Sequence, residues 1–242
     1  MKKSITETLK SLGFALAAVI VLNSFVLASF QVPTGSMEKT VMAGDFLFVN
    51  KFIYGGTTPP TIPLVGIFFG KEIEIPYFRT PGFSDVERGD VIVFIFPGHR
   101  DDVKAREFQY YLKRCVAVSG DTLEVVAKEV FVNGMRYENP EGVQYYNDLM
   151  PEEYAEPKIF PPGKPWNKDY YGPLVIPGEG DIIPLSLENI AEWVTFIRRE
   201  GHTVEVRGND ILIDASPVTS YTVERDYVFG MGDNRDDSLD SR

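Results

Sequence analysis

The chain has 242 residues, with 44% hydrophobic and 24% charged side chains, the balance of a folded protein with a core rather than of a disordered one. A formal net charge of −11, with no compensating basic stripe, excludes nucleic acid as a partner, because gripping a phosphate backbone takes clustered Lys and Arg. The one cysteine, Cys115, excludes an internal disulfide and leaves the redox compartment open.

The amino terminus, MKKSITETLK, carries Lys2, Lys3 and Lys10, and from Leu12 to Phe30 there follow 19 residues without a charged side chain. A helix of that length, at about 1.5 Å per residue, spans roughly the 30 Å hydrocarbon core of a bilayer. Residues 1–11 are therefore expected on the cytoplasmic side and 12–30 as a single transmembrane anchor, with the rest of the chain exported under the positive-inside rule. A cleaved signal peptide, with Val26 and Ala28 as the small residues before the cut, is the competing reading; the apolar run is longer than the usual h-region of about 7–15 residues. Directly after it comes QVPTGSMEKT. Ser36 stands six residues past Phe30, within about 20 Å of extended chain at roughly 3.3 Å per residue. It caps a turn, or it is a nucleophile kept at a membrane surface.

Beyond this point short strand-like runs alternate with Gly and Pro: DFLFVNKFIYG, VIVFIFP, YYLKRCVAVSG, LEVVAKEVFVNG, HTVEVRGNDILID and TVERDYVFGMG. Their β-branched and aromatic content, with turn signals at Asn133-Gly134 and Gly208-Asn209-Asp210, predicts antiparallel hairpins and a mainly β body. The irregular stretch GGTTPPTIPLVGIFFGKEIEIPYF gathers Ile62, Leu64, Val65, Ile67, Phe68 and Phe69, either a patch for the bilayer interface or a loop packed on its own core. Between about 138 and 185 the texture turns to Pro, Gly, Tyr and acidic residues, as expected of an inserted subdomain of loops. One helix is predicted in SLENIAEWVTFIRREG. There Leu187, Ile190, Ala191, Val194 and Ile197 recur at helical spacing as a core-packing stripe, and Gly201 follows as the C′ residue. The expected organisation is a first β segment at 31–137, an inserted non-catalytic subdomain at 138–220 and a return segment at 221–242.

Elimination narrows the chemistry. The two histidines, His99 and His202, come without HExxH or paired Cys/His ligands, which leaves a zinc hydrolase almost without support. There is no GxSxG for a nucleophile elbow, and both histidines read as surface residues. A serine can instead be activated by a lysine, provided that the lysine is neutral. A free lysine titrates near 10.4, and lowering that by about three units costs roughly 4 kcal/mol, normally supplied by burial. Lys113, in YYLKRCVAVSG, is the lysine in the most apolar strand; the alternative is a strand lysine pointing outward. The third element is GDNRDDSLDSR. Asp236, Ser238 and Asp240 are spaced like calcium ligands, but the Gly and terminal Glu of an EF-hand loop are missing. A solvated turn remains possible. The functional reading has Ser238 hydrogen-bonding the lysine amine while Asp240 pairs with Arg242.

Taken in order, an amino-terminal anchor, PTGSMEKT with GDFLFVNKFIYG, RGDVIVFIFP, YLKRCVAVSGD and GDNRDDSLDSR resemble bacterial type I signal peptidase, the leader peptidases with a Ser-Lys dyad. The resemblance covers most of residues 31–132 and 221–242. It implies a mostly antiparallel β catalytic domain with an inserted second domain, in which Ser36 is the nucleophile and Lys113 the general base. It further implies an oxyanion hole formed by the Thr34 hydroxyl and the Ser36 N–H, an orienting role for Ser238, and structural support from Asp233, Asp240, Arg242 and Arg114.

The implied partners are the lipid bilayer and exported preproteins with small residues at the first and third positions before the cut, bound as an extended strand. The implied location is the cell membrane, with one pass and the catalytic domain outside the cytoplasm. No cofactor or metal is implied, and oligomeric state is not indicated. Cys115, two residues past Lys113, is expected on the same strand face as a small hydrophobe near the dyad.

One departure stands out. Members of the family continue past the DSR element with an apolar stretch that completes the sheet, so Asp240 and Arg242 are expected on a fraying terminus beside an edge strand without its neighbour. Two rivals remain. Self-cleaving repressors share a Ser-Lys β core but carry a DNA-binding domain rather than an anchor. The other rival is a membrane-tethered β module that binds export partners without catalysis.

Overall fold

In the computed structural model the described residues are 2–58, 76 and 78–242. The apolar group Ile62, Leu64, Val65, Ile67, Phe68 and Phe69 lies outside them. The chain divides into two compact units, Met1–Pro33 with Ala43–Val86, and Thr34–Met42 with Glu87–Arg242.

The first unit opens with helix α1, Lys2–Phe25, whose Ile5–Phe25 stretch of 21 residues, at mean hydropathy 1.7, has the length and composition of a membrane span. The helix thus starts earlier and stops sooner than the expected 12–30 span. Leu27–Gln31 is strand β1, paired antiparallel with β2, Phe46–Asn50, from Leu27↔Asn50 to Gln31↔Phe46. An unbroken apolar run does not by itself distinguish helix from strand; here partner strand β2 takes the last residues of the run. On β2, alternation leaves Phe46 and Phe48 72% and 74% exposed.

The second unit is mainly antiparallel β. Strand β3 (Val91–Ile95) and the long strand β4 (Tyr110–Val118) pair from Val91↔Arg114 to Ile95↔Tyr110. On its other edge β4 pairs with β14 (Val228–Met231), with an irregularity between Phe229 and Gly230. A four-stranded sheet is built from β5 (Thr122–Val126), β6 (Glu129–Val132), β7 (Met135–Arg136) and β8 (Tyr171–Val175), in the order β7-β6-β5-β8. Val116, Ala117, Phe229 and Met231 from the first sheet close a core with Leu123, Val125, Val130, Val132 and Tyr171 from the second. The Val, Leu, Phe and Met side chains among them each contribute roughly 1.5–3 kcal/mol by leaving water. Ile159 and Ile176, from the stretch expected to be an inserted subdomain, also join this core.

A separate core gathers β9 (Ile182–Pro184), helix α2 (Ile190–Arg199), β10 (Val204–Arg207), β11 (Asp210–Ile213), β12 (Ser216–Val218) and β13 (Ser220–Thr222), around Ile190, Ile197, Val204, Ile211 and Tyr221. Helix α2 ends as its sequence predicts, with Gly201 at φ 109° just beyond its cap residue Glu200; Leu187, expected on its stripe, precedes it and is exposed.

The hairpins follow the turn signals. Asn133 and Gly134 take positive φ between β6 and β7, and Gly208 does so between β10 and β11. Two further two-residue turns, Ala127-Lys128 and Asp214-Ala215, take positive φ without any glycine, the backbone that a tight hairpin demands. Their sequence carries no such warning.

Candidate active site

Strand β4 is where the site begins. It lies between β3 and β14, and its residues from Lys113 to Ala117 are buried. Lys113 is 3% exposed. Burial holds its amine below the ordinary lysine range, and the Asp240 carboxylate opposes this by favouring the charged form. The Nζ atom lies 2.9 Å from Ser36 Oγ and 2.9 Å from the Leu112 carbonyl oxygen, which accepts from it. It also sits 5.2 Å from the centre of the Tyr111 ring, which stacks on Phe96 at 4.3 Å.

Ser36 is carried on a compact turn. Glu38 N–H donates to the Gly35 carbonyl at 3.0 Å, and the N–H groups of Thr40 and Val41 both donate to the Met37 carbonyl, at 3.0 and 2.8 Å. The turn is pinned at several points to the segment after β14. Met37, 1% exposed, accepts at its sulfur from Asp233 N–H at 3.4 Å. Asn234 donates from its backbone to the Ser36 carbonyl and from its side chain to the Gly35 carbonyl, each at 3.1 Å. Thr40 Oγ1 donates to Asp233 Oδ2 at 2.5 Å. That carboxylate, fully buried, also accepts a two-pronged grip from Arg114, Nε to Oδ1 at 2.9 Å and Nη2 to Oδ2 at 2.7 Å, while Arg114 Nη1 donates to the Gly89 carbonyl. One aspartate thus links β4 to the turn that carries Ser36. Gly232 completes the contact: a side chain there would collide with the Ser36 carbonyl and with Ser238.

The residues expected around the lysine are also here. Asp240 and Arg242 are almost fully buried and pair through Nε–Oδ1 at 3.0 Å and Nη2–Oδ2 at 2.7 Å. Burial would raise the Asp240 carboxyl, but the Arg242 guanidinium and the N–H groups of Arg242 and Gly232 outweigh it and hold it below the usual carboxylate range. Arg242 is not frayed. Its Nη2 donates to the Arg235 carbonyl at 2.8 Å, and its own carbonyl accepts from Phe160 N–H at 2.9 Å; a guanidinium supplied with acceptors is stable out of water. Ser241 and Gly230 exchange hydrogen bonds, Ser241 N–H to the Gly230 carbonyl and Gly230 N–H to Ser241 Oγ, both at 3.0 Å. The irregularity in β14 thus ties the last residues to the strand facing Lys113.

The expected bond from Ser238 to the lysine is not made: Ser238 is buried and its hydroxyl has no partner among the described residues. Thr34 is exposed, and among the described residues neither its hydroxyl nor the Ser36 N–H is taken up by a hydrogen bond. Cys115 is fully buried, and burial, reinforced by Asp90 and Asp121, pushes its thiol up to about 11. No group of three or more His, Cys, Asp or Glu fit to hold a metal occurs among the described residues.

His99 is exposed as expected, whereas His202 is partly covered and lies between two carboxylates, Nδ1 to Asp214 at 2.6 Å and Nε2 to Glu224 at 2.8 Å. Sequence reasoning missed Thr40, Gly232 and Asn234. Their partners are distant in the chain, and the one local hint was that Gly232 and Asn234 belong to the GDN of an already suspect motif.

A family model described as signal peptidase, peptidase S26, matches residues 5–242. Among curated proteins the chain is similar to signal peptidase I of Pseudomonas aeruginosa, 30% identical over 234 residues, covering 96% of this chain and 61% of that protein. It is similar to signal peptidase I of Pseudomonas fluorescens at 29% over 236 residues, again 96% and 61%, and to that of Buchnera aphidicola at 27% over 255 residues, 100% and 70%. The chain therefore spans 61% of the length of the two Pseudomonas relatives.

Proposed function

Since the chain belongs to the signal peptidase family, peptidase S26, we propose that it is a membrane-anchored serine endopeptidase that removes signal peptides from exported preproteins. The observation that carries this reading is the 2.9 Å approach of Lys113 Nζ, 3% exposed, to Ser36 Oγ.

In the proposed reaction neutral Lys113 accepts the Ser36 hydroxyl proton as the serine oxygen bonds to the scissile carbonyl carbon. The carbonyl oxygen takes up negative charge opposite the Ser36 N–H and the Thr34 hydroxyl, two donors with no competing partner within the described protein. Collapse of this intermediate expels the amine of the mature protein, which receives the proton from Lys113. Lys113, neutral again, then activates a water to release the signal peptide from Ser36. Burial of Lys113 makes its neutral form available, while the Asp240 carboxylate and the Tyr111 face offset the charge that appears during transfer.

The substrate is read as an extended strand with small residues, Ala-x-Ala, before the cut. β14 pairs with β4 only from Val118 to Arg114, so the sheet stops short of Lys113 on the edge where an added strand would run past the dyad. Anchoring is supported by the stretch Ile5–Phe25 and by the exposed apolar rings of Phe46 and Phe48, surface of the kind that marks a membrane or partner contact. The positive flank assigns the amino terminus to the cytoplasm and the catalytic unit to the outer side of the cell membrane.

The test uses detergent-solubilised protein and a labelled preprotein with an Ala-x-Ala site. Ser36→Ala and Lys113→Ala are each expected to abolish cleavage while the far-ultraviolet circular dichroism stays unchanged. Full activity of Lys113→Ala would eliminate the dyad, and an inactive wild-type chain would favour a binding module over an enzyme.

A further inference from the structure

One buried side chain at the nucleophile has no part in the proposed reaction. Asn234 is 2% exposed and holds Ser36 from both sides: its backbone N–H donates to the Ser36 carbonyl and its Nδ2 to the Gly35 carbonyl, each at 3.1 Å. These two carbonyls belong to different peptide groups. The Gly35 carbonyl shares its plane with the Ser36 N–H, and in a trans peptide the two point in opposite directions. A donor seated on the Gly35 oxygen, added to the Glu38 N–H that it accepts within the turn, therefore helps to fix where the Ser36 N–H aims, away from Asn234.

Asn234 is itself immobilised. The Asp233 carbonyl accepts from Gln144 N–H at 2.9 Å and Arg235 N–H donates to the Gln144 carbonyl at 3.1 Å, so the chain on both sides of it is bonded to one residue. Only the NH₂ end of its amide can face a carbonyl. The other end, Oδ1, is buried without a partner among the described residues. A buried oxygen without a donor destabilises a fold and calls for an explanation; here it accompanies an Nδ2 donor held on the Gly35 carbonyl.

We propose that Asn234 is a positioning residue for the oxyanion hole. Its Nδ2 orients the Gly35–Ser36 peptide so that the Ser36 N–H meets the developing oxyanion. By drawing electron density toward the Gly35 oxygen it also makes that N–H a stronger donor, as hydrogen bonds in series do. The inference rests on the reading of Ser36 and Lys113 as the dyad. Its effect grows only as charge develops on the substrate, so it belongs to kcat rather than to KM.

The experiment compares wild type, Asn234→Ala and Asn234→Leu in the full chain in detergent; the leucine is close in shape but carries no hydrogen-bond donor. Each variant is expected to lose on the order of 10- to 100-fold in kcat, less than the full removal of an oxyanion donor, with KM within about twofold of wild type. A peptide aldehyde with an Ala-x-Ala end supplies the second readout. The serine oxygen bonds to the aldehyde carbon, the serine proton passes to Lys113, and the former carbonyl oxygen carries the charge into the oxyanion hole. Affinity for this aldehyde should fall by the same factor as kcat, while affinity for the product peptide, which makes no such adduct, stays constant.

A merely structural role would weaken both ligands and raise KM, and that result, or an unchanged kcat, overturns the inference. If either variant loses its fold, Asn234→Ser, smaller and uncharged, carries the same readings. The premise is checked separately. Activity surviving in Ser36→Ala would overturn the dyad, whereas an inactive Ser36→Ala beside an Asn234→Leu of wild-type kcat would overturn the role of Asn234 alone.

Discussion

Replacing Asp233 by alanine probes the link between strand β4 and the turn that carries Ser36. The carboxylate is fully buried, takes two hydrogen bonds from Arg114, whose side chain is 10% exposed, and takes a third from Thr40. In Asp233→Ala the guanidinium stays buried with the Gly89 carbonyl as its remaining hydrogen-bond acceptor, and an uncompensated buried charge of this kind costs about 3–5 kcal/mol. For a chain of this size each kcal/mol moves Tm by about 2–4 °C, so the expected fall is roughly 6–20 °C. The double variant Arg114→Met/Asp233→Ala removes the charge as well as its partner. It should regain most of that loss, since replacing a whole buried pair is often close to neutral. Thermal unfolding of the four proteins of the cycle, followed by circular dichroism in one detergent, gives the coupling directly. A single-variant loss below about 1 kcal/mol, or a double variant less stable than the single one, would refute the assignment of Asp233 as the buried counter-charge.

Three further outcomes are expected. Because burial holds Lys113 below the ordinary lysine range and only its neutral form accepts a proton, kcat/KM should fall as the medium is acidified through that depressed value; a flat profile between about pH 6 and 9 would count against a lysine base. Gly232→Ala forces a methyl group against the Ser36 carbonyl and Ser238, and should lower kcat by about 10²-fold, the usual size of a small displacement of reacting groups, with a Tm loss that steady-state assays at 20 °C and thermal unfolding separate from it; wild-type turnover in this variant would show that the turn is not seated on Gly232. His202 is raised above its usual range by its hydrogen bonds to Asp214 and then Glu224, so the protonated ring favours the folded state. That contribution is fully present below about pH 6.5, the unfolded value, and is lost as pH rises through the higher folded value. The Tm gap between wild type and His202→Gln should accordingly be widest in acid and close toward alkaline pH, and a gap that widened with pH would reverse the assignment.

Much of this protein was legible residue by residue. The apolar run after Lys10 pointed to a helix long enough to cross a membrane, the β-branched runs pointed to strands, Asn133-Gly134 and Gly201 to the backbone that they adopt, and Lys113 stood out as the lysine in the most apolar strand, with an outward-pointing side chain as the alternative. These are local consequences of side-chain chemistry, which neighbouring residues suffice to express. The rest depends on partners far away in the chain. That Lys113 reaches Ser36 across 77 positions follows from the register of β4 against its neighbours. That Gly230 exchanges hydrogen bonds with Ser241 follows from the irregularity in β14. The end of α1 at Phe25, rather than at the end of the apolar run, was decided by a partner strand for Leu27–Gln31. The glycine-free turns at Ala127-Lys128 and Asp214-Ala215 were decided by the hairpins on either side of them. The burial of Arg242, against an expectation of fraying, came from acceptors supplied by Asp240 and Arg235. Composition and spacing determined which side chains were candidates for the proposed chemistry. Tertiary pairing alone decided which carbonyl, carboxylate and amide would stand around Ser36, because a hydrogen bond is set by position in space and not by separation along the chain.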